Sequence, residues 1–242
     1  MSLKILLLVL VAAAVLYAAY HAVQVYRHIK VSARLVEAAK PFEVERGADA
    51  PRLLVVGDST AVGVGASDSA YTTSGYFAAD HPQYAVTNLA KSGATVADVL
   101  VQLRSAQGAY AAVLVQAGGN DTIQFSDLTQ LRADYAALLS EAKARSGKVV
   151  ALSTGNVGRA PLFNFFPLNY IYEARTKAVR AIFIDEAAKA GAVYVDLYKE
   201  GTSDAISQDP VRHYAADGLH LSDAGWAVWY QDIKRAFDLA LQ

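Results

Sequence analysis

Leu53-Leu54-Val55-Val56-Gly57-Asp58-Ser59-Thr60-Ala61-Val62-Gly63 decides how this chain is read. Four apolar residues, Leu53 to Val56, stop abruptly at Gly57-Asp58-Ser59. A short apolar run bounded by turn residues is the pattern of a buried strand. Such a strand would deliver Ser59 to its carboxyl end. A serine in that place is commonly only a turn residue or a helix N-cap. A nucleophilic serine needs more: a base, a group that orients the base, and donors for an oxyanion.

Outward from this stretch, apolar runs and helical patterns alternate. Strands are expected at Leu53–Val56, Ala85–Leu89, Ala112–Gln116, Val149–Ser153 and Ala192–Asp196. Between them, helical spacing is expected over 73–79, 95–106, 128–144 and 170–190, and a last helix over 222–241, with Ser222 as its N-cap. Strands apolar throughout, alternating with helices, imply an α/β fold: a five-stranded parallel sheet covered on both faces. Pro41 to Pro51 reads as a linker, and the domain begins near Arg52. The expected division is an N-terminal membrane segment over 1–30, a linker over 31–51 and a catalytic domain over 52–242.

Bulk composition removes several function classes. Lys+Arg number 22 and Asp+Glu 23, so no basic field supports nucleic-acid binding. Cysteine is absent, which excludes disulfides, thiolate metal sites and a cysteine nucleophile. Five histidines, at 21, 28, 81, 213 and 220, bound any imidazole chemistry. No carboxylate–histidine cluster has metal-ligand spacing, and no cofactor is expected.

In open parallel sheets, ligands bind beyond the carboxyl ends of the strands. Four strand ends, or loops reaching that edge, carry polar, glycine-bearing segments. They are Gly57-Asp58-Ser59, Ser92-Gly93, Gly118-Gly119-Asn120-Asp121 and Asp217-Gly218-Leu219-His220. Each alone reads equally as a turn. Together they supply a complete acyl-transfer set. Ser59 is the nucleophile, His220 its base, and Asp217 the carboxylate that fixes the histidine tautomer. Oxyanion donors are the Ser59 and Gly93 N–H groups and the Asn120 side chain. Asp58 is assigned to bracing the turn, and His213 to a loop at the site mouth.

These four blocks, in this order, resemble those of the SGNH hydrolases, the GDSL esterase/lipase superfamily. The first block has Thr60 where the usual tetrapeptide has leucine. The third matches the family's Gly-x-Asn-Asp, and the last its Asp-x-x-His. The resemblance covers nearly all the chain from Arg52 onward and leaves out the N-terminal segment. It implies a flavodoxin-like three-layer α/β/α sandwich and ester hydrolysis without metal or organic cofactor. Rival motifs fail: the α/β-hydrolase elbow Gly-x-Ser-x-Gly lacks its last glycine, and neither a P-loop nor a dinucleotide fingerprint is present.

The expected activity is serine-dependent hydrolysis of small or lipid-like esters or thioesters. The alternatives are a carbohydrate O-deacetylase on the same scaffold, with Trp226 and Trp229 as sugar platforms or core residues, and a catalytically silent membrane-tethered binding module. The five intact site residues argue against the silent module. Ala160 to Tyr172, rich in phenylalanine and tyrosine, reads either as an apolar lid for an acyl chain or as ordinary packing.

At the other end, Ile5 to Tyr20 is unbroken apolar sequence, and apolar character persists to Tyr26. As a helix, residues 5 to 26 would extend roughly 33 Å, enough to cross a bilayer core. The poor cleavage site at Tyr20-His21-Ala22-Val23 favours a retained single-pass anchor over a cleaved signal peptide, and its length favours it over a buried helix. Lys4 stands alone before the segment, whereas Arg27, Lys30, Arg34 and Lys40 follow it, which leans the domain toward the cytoplasmic face. The alternative is a periplasmic or secreted domain. The sequence carries no signal for oligomeric state.

Overall fold

The computed structural model describes residues 2–242. Five parallel strands form one sheet: β1 (Arg52–Gly57), β2 (Ala85–Asn88), β3 (Ala112–Gln116), β4 (Val149–Leu152) and β5 (Val193–Val195). Their order is β2-β1-β3-β4-β5, the order of the flavodoxin-like fold that the family resemblance implied. The sequence reverses direction across the sheet between β1 and β3, which pair from Leu53↔Ala112 to Gly57↔Gln116.

The helices are α1 (Leu3–Ala38), α2 (Ser59–Val62), α3 (Thr73–Asp80), α4 (Val96–Ser105), α5 (Gly119–Ile123), α6 (Leu128–Arg145) and α7 (Leu168–Ala190). Three more follow: α8 (Ala205–Gln208), α9 (Pro210–His213) and α10 (Asp223–Ala240). Successive strand residues point to opposite faces of a sheet. Leu53, Val55, Ala112 and Leu114 accordingly join one core with Phe77 of α3 and Trp226, Ile233 and Phe237 of α10. Leu54, Val56, Val113 and Val115 join a second core under α4, α6 and α7. Two separate cores, one on each face, explain why the strands carry no polar alternation.

The segment before the sheet is partly held. α1 continues unbroken through residues 31–38. Beyond it, Val44 makes an antiparallel bridge to Val86, and the Glu43 carboxylate accepts a hydrogen bond from Asn88 N–H at 3.2 Å. Every described residue of α1 up to Tyr20 is exposed, whereas from His21 onward one face of the helix is partly covered by the domain.

Candidate active site

β1 ends where the chain must pass close to its neighbour. A Cβ on Gly57 would lie 2.1 Å from the Gln116 carbonyl oxygen, so only glycine fits there. The buried Gln102 side chain of α4 grips the same residue. Its Oε1 accepts from Gly57 N–H at 2.9 Å, and its Nε2 donates to the Gly57 carbonyl at 3.0 Å. Asp58 then caps α2, accepting from Thr60 N–H at 2.8 Å and from the Thr60 hydroxyl at 2.7 Å. Burial pushes the Asp58 carboxyl up; these Thr60 hydrogen bonds and the nearby His220 oppose it, and Asp121 adds to it. The turn thus presents Ser59 as the first residue of α2.

His220 arrives from the far end of the chain. Its Nε2 lies 2.9 Å from Ser59 Oγ, and its Nδ1 lies 2.6 Å from Asp217 Oδ2. The other Asp217 oxygen accepts the backbone N–H groups of Leu219 at 3.1 Å and His220 at 3.0 Å. Gly218, at φ +64°, makes the left-handed step that folds this carboxylate back onto the ring. Asp217 is fully buried. Burial alone would raise its carboxyl, but the hydrogen bond and charge of His220, with the two N–H groups, outweigh it and hold the carboxyl below its ordinary value. A carboxylate at Nδ1 puts the proton on that nitrogen and leaves Nε2 as acceptor for the Ser59 hydroxyl.

The remaining sequence candidates converge on the same place. Ser59, Gly93, Asn120 and His220 all line one cavity of about 650 Å³. Nothing lies within 4 Å of where a Gly93 Cβ would stand, so a substrate can approach the backbone there. Among the described residues, neither Ser59 N–H nor Gly93 N–H has a protein acceptor. Asn120 donates one amide hydrogen to the Ala94 carbonyl at 3.0 Å, which fixes its plane and leaves a second hydrogen. Trp226 and Trp229 are buried, pack edge to face, and also border the cavity. His213 is buried in α9 and does not line the cavity.

Several neighbours went unassigned in the sequence. Gln102 lies inside a helix, with no local mark of its partner. Asp121 is buried and accepts from Val96 N–H at 3.0 Å, tying the loop after β3 to the start of α4. Burial raises its carboxyl despite that bond. The Asn-Asp pair was the one visible signal for it. The largest omission is α1, whose Val25, Ile29, Ala33 and Val36 form one side of the cavity. The 160–172 segment divides: Leu162, Phe163, Leu168 and Tyr172 line the cavity, whereas Phe165 and Phe166 do not. Phe165 stacks on His21 of α1, with ring centroids 3.9 Å apart.

A sequence model for the GDSL-like lipase/acylhydrolase family matches residues 55–228, from β1 into α10. The chain belongs to this family. Membership makes it a hydrolase of ester bonds, as the motif order had suggested. Solved structures with the same fold surround this GDSL hydrolase. TesA is 23% identical, with a TM-score of 0.62, over 78% of this chain and 99% of its own. A carbohydrate esterase family 2 enzyme from Corynascus thermopiles is 17% identical, with a TM-score of 0.58, over 81% of this chain and 69% of its own. Phospholipase A1 from Streptomyces albidoflavus is 18% identical, with a TM-score of 0.55, over 77% and 99%. No curated protein sequence matches this chain significantly.

Proposed function

We propose that this GDSL hydrolase cleaves small or lipid-like carboxylic esters or thioesters through Ser59, His220 and Asp217. The observation that carries the reading is the unbroken line from Asp217 Oδ2 through His220 to Ser59 Oγ, at 2.6 and 2.9 Å. Ser59 Oγ attacks the acyl carbonyl as its proton passes to His220 Nε2. The carbonyl oxygen becomes an anion facing the Ser59 and Gly93 N–H groups and the free Asn120 amide hydrogen. Collapse of the tetrahedral centre expels the alcohol or thiol, which takes the proton from His220 and leaves an acyl group on Ser59. Water repeats the sequence: His220 accepts its proton, the hydroxide attacks, and the acid leaves as Ser59 regains a hydrogen. Asp217 stays ionised and stabilises the imidazolium.

Residues 1–30 serve in this reading as a single-pass anchor, 31–51 as the connection and 52–242 as the catalytic domain. The described part of α1 is long and apolar enough to cross a membrane, and its apolar window is fully exposed. The basic residues after it favour the cytoplasmic side.

The neighbouring carbohydrate esterase gives an O-deacetylase the same scaffold, and Trp226 and Trp229 border the cavity. The apolar wall formed by Val25, Ile29, Leu162, Phe163 and Leu168 favours an acyl chain over a sugar. A fluorophosphonate probe should label the protein, and Ser59→Ala should abolish labelling and lower ester hydrolysis on the order of 10⁶-fold. Labelling that persists in Ser59→Ala refutes the assignment. Activity confined to acetylated sugars would select the deacetylase.

A further inference from the structure

The catalytic cavity is completed by a helix from outside the catalytic fold. Val25, Ile29, Ala33 and Val36 lie at intervals of three and four residues, which places them on one face of α1, with Ser32 beside them, and all five line the cavity that holds Ser59 and His220. Ile29 is 55% exposed and Val36 36%, so these two border space, whereas Val25 packs against the Val157, Leu162 and Phe163 cluster. The helix is also held at this position. The His28 ring lies 3.2 Å from where a Gly218 Cβ would stand, between Asp217 and His220 in sequence. Further down, Tyr17 donates to the Phe166 carbonyl at 3.0 Å, beside the Phe165–His21 stack.

The same helix sets the depth of the cavity. Its exposed apolar half ends at Tyr20. Val25 follows about 7.5 Å further along the axis, at about 1.5 Å per residue. With the first half in a bilayer, the cavity mouth lies at the headgroups. Phe166, whose carbonyl meets Tyr17, and Tyr170, whose ring lies edge to face with that of Phe166 at 6.4 Å, are each 67% exposed. Exposed aromatic rings of this kind suit a membrane–water boundary.

We propose that the second half of α1 is a wall of the substrate site, and that the cavity takes the long acyl chain of an ester drawn from the bilayer holding the first half. The chain runs from the carbonyl at Ser59 along Ile29 and Ala33 and leaves beside Val25. The inference rests on the ester-hydrolase reading and adds that the anchor helix determines acyl-chain preference.

The test uses the full chain in phosphatidylcholine vesicles with p-nitrophenyl esters from acetyl to palmitoyl. Ile29→Trp and Ala33→Trp fill the cavity. Lys30→Trp is the control, since Lys30 is exposed and stacks over Tyr26 instead. The palmitoyl-to-acetyl rate ratio should fall roughly tenfold or more in the first two and hold in the control. An equal ratio in all three overturns the proposal. A second measurement does not depend on tryptophan being accommodated. The chain lacks cysteine, so Ile29→Cys carries a single thiol. Hexadecyl fluorophosphonate on Ser59 should slow its maleimide alkylation roughly tenfold relative to ethyl fluorophosphonate; equal alkylation overturns the proposal. Palmitoyl ester dissolved in the enzyme's own vesicles should be cleaved faster than the same ester in separate vesicles. Equal rates remove the bilayer as its source. Hydrolysis that survives Ser59→Ala fails the site assignment itself, an outcome distinct from an unchanged chain-length ratio.

Discussion

Asn120 holds its amide plane by one bond, from Nδ2 to the Ala94 carbonyl. In the proposed oxyanion hole, that bond fixes the amide before any substrate arrives, and a preorganised donor stabilises charge that develops in the transition state. Asn120→Ala should lower kcat by about 10²–10³-fold on any ester the enzyme accepts, with a smaller change in KM. Steady-state kinetics on a soluble short-chain ester decide it; a kcat equal to the parent's removes the side chain from the oxyanion role. At the same scale, Asp58 and Asp217 divide the acidic work. Asp58 caps the turn that carries Ser59, and Asp217 meets the His220 ring.

The elements that matter most are short. α2 has four residues and α5 has five, too few to show a period or to persist alone. Their neighbours hold them: Asp58 caps α2, and Asp121 of α5 reaches across to Val96 at the start of α4. α4 is in turn closed by a capping box. Thr95 N–H and hydroxyl both donate to Asp98, at 2.9 and 2.7 Å, and Asp98 N–H donates back to Thr95 Oγ1. Thr95→Ala should cost about 1 kcal/mol of stability in urea unfolding while fluorophosphonate labelling of Ser59 persists. Unchanged stability would show that the two-residue step from Gly93 to Thr95 is held by Asp121 and Asn120 alone.

Across the whole molecule, the catalytic edge of the sheet gathers buried carboxyls that respond to pH in opposite senses. Asp58 and Asp121 are raised by burial, so the folded state favours their protonated forms. Their contribution is fully present below the ordinary carboxyl value of about 3.9 and is lost as pH rises through the raised folded value. Asp217 is lowered; its contribution is present above the ordinary value and is lost as pH falls through the depressed one. Asp58→Asn keeps the capping oxygen and removes a buried charge. It should therefore be more stable than the parent at neutral pH, with the difference closing as pH falls through the raised Asp58 value. Thermal unfolding across that range reads the difference, and a gap independent of pH would contradict the charge argument.

The order of strands and long helices was legible in the sequence, and so were the polar segments carrying Ser59, Gly93, Asn120 and His220, which the fold brings to one cavity. Burial on both faces writes itself as apolar runs, and polar, glycine-bearing segments follow β1, β2 and β3. Gln102 at Gly57, Asp121 at Val96 and the α1 face over the site were not legible. Each depends on a partner at least 25 positions away, or on a helix whose cavity-facing residues look like any other apolar residues of a membrane segment. Local pattern determined which residues stand at the catalytic edge. Only the packing of α1 against that edge decided what encloses them, because no periodicity within a uniformly apolar helix records which side meets protein and which meets lipid.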